Sequence, residues 1–195
     1  MKLGIFGGTF DPIHVGHLEI AHAVHRQFLL DKIIFVPTRI PPHKVSRSDI
    51  TPASQRYEMI QIAIQKESYF EVSDIEIKRS GISYTVDTLR ELRKKYPEAE
   101  LFFILGADSL TEISGWRETD EIKKMARLIV APRESHRVSG KMTTDPNIQW
   151  LKMPTVPLSS SEIRERIRGS RSVLGLLPEG VEDYIQKMKL YRESS

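Results

Sequence analysis

The chain has 195 residues, of which 39% are hydrophobic and 28% charged, enough to bury a core and unlike a disordered or membrane-embedded protein. It contains no cysteine, which excludes a disulfide framework and a thiolate metal site and fits a cytoplasmic setting. A formal net charge of +3 suits a small polyanion as well as a nucleic acid, and no apolar run is long enough to cross a bilayer.

The segment Lys2-Leu3-Gly4-Ile5-Phe6 is a short apolar run, predicted as a buried first strand with no signal peptide before it. It ends at Gly7-Gly8, which permit a sharp turn and leave the backbone open to a ligand. Thr9-Phe10-Asp11-Pro12 continues the loop. From Gly16-His17 the period becomes helical, and Leu18, Ala21, Val24 and Phe28 form one apolar face. Lys32-Ile-Ile-Phe-Val36 predicts a second strand of the continuous apolar kind found in parallel sheets. Strand, helix and strand form a βαβ unit.

Prolines 37, 41, 42 and 52 mark the next stretch as a loop, and Thr51-Pro52 predicts a helix to about Ile64. Phe70-Glu-Val-Ser and Ile75-Glu-Ile-Lys alternate like a strand broken at Gly81. Thr85 reads as the cap of a helix running to about Tyr96, where Pro97 stops it. Leu101-Phe-Phe-Ile-Leu105 and Leu128-Ile-Val-Ala131 predict further buried strands. Ser135 to Asn147 is polar and predicts a mobile surface loop. Ser159-Ser-Ser161 caps a helix over 162–168, and Leu177-Pro178 begins a last helix to about Leu190. The alternation predicts a three-layer α/β sandwich on a mostly parallel sheet. It forms one domain over 1–195, with a C-terminal helical portion at about 159–191.

Strand, glycine-rich loop and helix start together point to phosphate, because free amides and the positive helix end face one pocket. The loop matches neither G-x-x-x-x-G-K-[ST] nor G-x-G-x-x-G, so His14 and His17 stand where a P-loop would place lysine. Imidazoles there can donate to phosphate oxygens during an in-line displacement. A capping pair and a shared metal are the competing readings of the two histidines. His22 and His25, also three apart, read as surface residues, with metal binding the lesser alternative. Ser159-Ser-Ser-Glu-Ile-Arg164 offers hydroxyls, amides and a guanidinium at a second helix start, or a plain cap. Asp108, after the strand ending at Gly106, is a ligand contact or a helix cap. Trp116 either stacks on a flat ring or packs, and Lys44 either reaches a phosphate or faces water.

Gly7-Gly-Thr-Phe-Asp-Pro-x-His14-x-Gly-His17 together with Ser159-Ser-Ser-x-Ile-Arg164 resembles the Rossmann-like H-x-G-H nucleotidyltransferase superfamily. Pro41-Pro-His-Lys44, Ser83-Tyr-Thr-Val-Asp-Thr-Leu89, Phe103-Ile-Leu-Gly-Ala-Asp108, Trp116 and Leu177-Pro…Leu190-Tyr191 narrow the resemblance to bacterial nicotinate-mononucleotide adenylyltransferases. It implies adenylyl transfer from ATP, with Mg²⁺ accompanying it, to nicotinate mononucleotide, giving deamido-NAD and pyrophosphate. His14, His17 and Arg164 would be catalytic. Gly7, Gly8, Thr9, Phe10, Gly106, Asp108, Arg133, Ser160, Ser161 and Ile163 would join them around ATP. Lys44, Tyr84, Thr85 and Trp116 would hold the mononucleotide. The usual Arg-Pro-Gly is Pro132-Arg133-Glu134 here, and Ser161 replaces a threonine. Pantetheine-phosphate adenylyltransferase and a non-catalytic nucleotide sensor of the same fold are the alternatives. No nucleic acid or membrane partner is expected, and a homo-oligomer is compatible with the reading. Lys141-Met-Thr-Thr-Asp145 resembles an aminoacyl-tRNA synthetase loop only superficially, lacking its second lysine.

Overall fold

The computed structural model describes residues 1–41, 50–132 and 145–192. Six parallel strands form one sheet in the order β3-β2-β1-β4-β5-β6. They are β1 (Lys2–Gly8), β2 (Lys32–Pro37), β3 (Phe70–Val72), β4 (Glu100–Gly106), β5 (Ala126–Ala131) and β6 (Ile148–Trp150). The helices are α1 (Val15–Phe28), α2 (Ala53–Ile64), α3 (Ile75–Lys78), α4 (Thr85–Lys95), α5 (Ala107–Glu112), α6 (Thr119–Met125), α7 (Ser160–Arg168) and α8 (Val181–Lys187).

The apolar strand runs are buried on both sides, and their two-residue period divides them between two cores. Phe6, Ile33, Phe35, Phe102, Ile104 and Ile129 face the layer that holds α1, α2, α7 and α8. Leu3, Ile5, Ile34, Val36, Leu101, Phe103, Leu128 and Val130 face the layer of α4, α5 and α6. The three-layer α/β sandwich expected from the sequence is what forms. No helix among the described residues is long and apolar enough to cross a membrane.

Strand order reverses between β1 and β4, which pair in register from Lys2–Glu100 to Phe6–Ile104. The loops leaving these neighbours diverge to opposite faces and open a crevice at the carboxyl edge, where open α/β sheets bind ligands.

Several local expectations are corrected. Ile75–Lys78 is a helical turn and not a strand, because Glu76 turns inward and buries its carboxyl beside Thr88. Thr85 is the first helical residue of α4, with Tyr84 at the cap position. The last helix starts at Val181: Leu177 is buried as an anchor, and Gly180 (φ 78°) caps the helix. β6, α5 and α6 lie in stretches too short or too polar to show a clear period. His22 and His25 are half-buried against Tyr69, His22 by a 3.0 Å hydrogen bond and His25 by ring stacking at 3.9 Å. Of the expected 135–147 loop, residues 135–144 lie outside the described residues; Asp145 bonds to Lys123 and to the Asn147 amide.

Candidate active site

The site grows from the end of β1. A Cβ added at Gly7 would lie 3.2 Å from the Phe103 ring, and one at Gly8 3.0 Å from the Phe10 ring, so the glycines let the loop lie close between two aromatic side chains. Phe10 adopts a left-handed backbone (φ 50°). Its buried ring stands edge-on to Phe6 and His17 at centroid distances of 5.4 and 5.0 Å.

Arg56, on α2, fixes the back of this loop. Its side chain is fully buried and donates to the backbone carbonyls of Thr9 at 2.5 Å, Thr38 at 2.6 Å and Thr51 at 2.8 Å, with a longer contact to that of Arg39 at 3.5 Å. Burial lowers its pKa, opposed first by the nearby Asp11 carboxylate, yet a guanidinium stays charged. A carbonyl drawn toward Arg56 cannot point into the crevice. Thr38 adds a second tie, donating its amide and its hydroxyl to the Gly8 carbonyl at 2.9 and 3.0 Å.

His14 ends the loop as the extended cap of α1, with its backbone N–H donating to His17 Nδ1 at 3.2 Å. The acceptor nitrogen must be unprotonated, so neutral His17 carries its proton on Nε2. The His14 ring is buried and stacks on His17 at 3.7 Å. Between them, Gly16 answers to packing: a Cβ there would come within 2.9 Å of Val156 Cγ1.

The start of α7 faces the same loop. Ser159 caps it by accepting from the Glu162 amide, and Ser160 donates its hydroxyl to the Pro12 carbonyl at 2.9 Å. Arg164, one turn in, donates to the Asp11 carbonyl at 2.7 Å and to the Ser161 hydroxyl at 3.3 Å. A guanidinium and a helix N-terminus therefore converge on the loop, a combination suited to a polyphosphate.

On the other face of the sheet, the 76–88 segment is shaped around Glu76. Thr88 donates to its carboxyl at 2.6 Å and accepts from Arg79 at 2.9 Å. Burial raises the Glu76 pKa, with the hydroxyls of Thr88 and Ser83 opposing the shift. Ser83 receives the Arg39 amide, and its own amide donates to the Ile40 carbonyl, so the Ser83–Thr85 turn is pinned to the chain leaving β2. The Arg117 guanidinium lies 5.0 Å over the Tyr84 ring, and Trp116 stands edge-on to Phe103.

One cavity of about 670 Å³ joins the two sides. Gly7 to Phe10, Asp11, His17, Ser160, Ser161 and Arg164 line it from one side; Tyr84, Thr85, Gly106, Asp108 and Trp116 line it from the other. Of the other sequence-predicted residues, His14 lies beneath His17. Ile163 is in the core, its amide bonded to the Ser159 carbonyl, so it supports α7 from below. Asp108 sits in the first turn of α5. Lys44 and Arg133 lie outside the described residues. Sequence reasoning missed Arg56, Thr38 and Glu76. An arginine among the apolar positions of α2 was the available signal for the first.

A cytidylyltransferase-like family model matches residues 5–166. The chain is 44% identical to a probable nicotinate-nucleotide adenylyltransferase of Desulfitobacterium hafniense, over 98% of this chain and 96% of the relative. It is 46% identical to one from a Thermoanaerobacter species, covering 99% and 95%. Its fold is similar to that of Plasmodium falciparum nicotinic acid mononucleotide adenylyltransferase complexed with NaAD. There the TM-score is 0.79 at 23% identity, covering 97% of each chain.

Proposed function

The chain belongs to the cytidylyltransferase-like family and, within it, to the nicotinate-nucleotide adenylyltransferases, and we propose that ATP and nicotinate mononucleotide meet in the cavity at the β1–β4 crevice. The reaction is adenylyl transfer from ATP to nicotinate mononucleotide, giving deamido-NAD and pyrophosphate, a step of NAD biosynthesis. The observation that supports this placement is that phosphate-binding groups and an aromatic cradle line one continuous space.

A phosphate oxygen of the mononucleotide attacks the α-phosphorus of ATP. A new P–O bond forms, the bond to the β-phosphate oxygen breaks, and pyrophosphate departs with its electron pair. The attacking phosphate is already ionised, so positioning and charge neutralisation supply the rate. His17 Nε2–H donates to the α-phosphate as charge shifts, and Arg164 neutralises the polyphosphate. His14 holds His17 in that tautomer through its backbone amide. The loop amides from Gly7 to Phe10 and the α7 start with Ser160 and Ser161 cradle the phosphates, while Asp108 lines the nucleotide's side. Tyr84 and Thr85 orient the mononucleotide, and Trp116 stacks on its pyridine ring.

A divalent cation accompanies ATP in enzymes of this kind, and we assign Mg²⁺. The cavity lining offers the separate carboxylates of Asp11 and Asp108, hydroxyls and one imidazole, and no cluster of three metal-ligating side chains occurs among the described residues. These groups fit a magnesium ion held mainly by the nucleotide's own phosphates, where it supplies charge neutralisation. A cytoplasmic location accords with the absence of cysteine from the sequence.

The test is pyrophosphate release from ATP and Mg²⁺, with nicotinate mononucleotide, nicotinamide mononucleotide or 4′-phosphopantetheine supplied separately. Strong preference for nicotinate mononucleotide is expected. Release with phosphopantetheine alone would discard the roles of Tyr84, Thr85 and Trp116.

A further inference from the structure

The end of the chain returns to the phosphate loop. Beyond α8 the backbone enters the left-handed region at Lys189 (φ 53°) and again at Tyr191 (φ 61°), a conformation that non-glycine residues hold only when their surroundings fix it. The surroundings are specific. The Tyr191 ring packs against the core shared by α1, α2, α7 and α8, and its hydroxyl donates to Asp11 Oδ1 at 2.7 Å, across 180 residues of sequence. Burial and the facing Asp11 carboxylate raise the phenol well above its ordinary pKa, so it remains a donor at any working pH. Asp11 Oδ2 accepts the Thr51 amide, and the Asp11 carbonyl accepts Arg164 Nη1 at 2.7 Å. A single residue thus receives the C-terminus on its side chain and the arginine on its backbone.

We propose that Tyr191 is a positioning residue for adenylyl transfer: by holding the Asp11 side chain it fixes the carbonyl that aims Arg164 at the phosphates. The inference rests on the reading above, in which Arg164 belongs to the catalytic set. Tyr191 touches no substrate; without its hydroxyl, Asp11 can rotate, and its carbonyl and Arg164 sample other directions. The substrates still bind, but the guanidinium spends less time where charge develops.

The experiment is a cycle of Tyr191→Phe, Arg164→Ala and the double variant, each measured for kcat, for both KM values and for melting temperature. Phenylalanine keeps the ring packing and removes only the hydroxyl. Tyr191→Phe is expected to lower kcat about 3- to 10-fold, with both KM values within about 2-fold and melting close to that of the parent. In the Arg164→Ala background the same change should leave kcat unaltered, because the group being aimed is gone. An unchanged kcat in Tyr191→Phe overturns the proposal. So does an equal loss with and without Arg164, which would mark a general structural role. If Arg164→Ala itself turns over normally, the functional assignment of Arg164 falls and the proposal with it. A slow Arg164→Ala beside a normal Tyr191→Phe removes the proposal alone.

Discussion

The two sides of the crevice are built by different means. On the side of α1 and α7, the cavity is lined by the loop from Gly7 to Asp11, one imidazole, the α7 serines and one guanidinium. Bonds to backbone hold this side: Arg56 to Thr9, Thr38 and Thr51, Arg164 to Asp11, and His17 to the His14 amide. On the side of α3 and α4, the cavity meets side chains from separate segments. Tyr84 and Trp116 are steadied largely by ring contacts, and Thr88 on α4 donates to the buried Glu76 carboxyl. In the proposed placement, the first side meets phosphate, which looks the same on every nucleotide, and rigid backbone serves it. The second side would then meet a substituted ring that differs between acceptors, and exchangeable side chains suit the reading of that difference.

The largest break should come on the first side. His17→Ala is expected to lower kcat by ~10²-fold or more, with circular dichroism and melting like those of the parent. Normal turnover in a folded His17→Ala protein would remove the imidazole from the chemistry. Arg56→Met should act on stability instead. It leaves the Thr9, Thr38 and Thr51 carbonyls without their donor, and a loss of about 3 kcal/mol or more lowers the melting temperature by roughly 10 °C in a calorimetric scan. A variant that melts like the parent would show that water replaces the guanidinium.

The second side should yield differently. Trp116→Ala is expected to raise the KM for nicotinate mononucleotide by about 10-fold while changing kcat and the KM for ATP little. A rise in the KM for ATP alone would move the tryptophan to the adenine side. Glu76→Gln gives the smallest effect, and its sign depends on pH. The folded protein holds the Glu76 proton more tightly than the unfolded chain, so this group favours folding below the ordinary glutamate pKa. That advantage fades as pH rises toward the raised value. Melting curves from pH 4 to 8 should therefore show the glutamine variant gaining by a few degrees relative to the parent as pH rises. Parallel curves would mean that Glu76 titrates normally.

The contrast also explains what could be read from the sequence. The side of the cavity built by α1 and α7 could be located because its parts are contiguous: β1, two glycines and the start of α1 lie within Lys2–His17, and Ser159 to Ser161 form the start of α7. The buried strands announced themselves as unbroken apolar runs, which gave the three-layer fold. Glu76 was misread because Ile75 and Ile77 with an acid between them alternate like a strand. What turns them into a helix is a hydrogen bond to Thr88, twelve residues on. Arg56 stood out only as an arginine among the apolar positions of α2; its partners are carbonyls, and carbonyls carry no sequence signature.

One contact reaches beyond this protein's chemistry. The glycine of the His14–His17 signature has no room for a methyl group because Val156, in the segment before α7, presses on it. The turn that carries the two histidines is therefore tied to a position 140 residues downstream. Alanine at 16 requires the Val156 side chain to shift or to be smaller, so Val156→Ala should lessen the cost of Gly16→Ala.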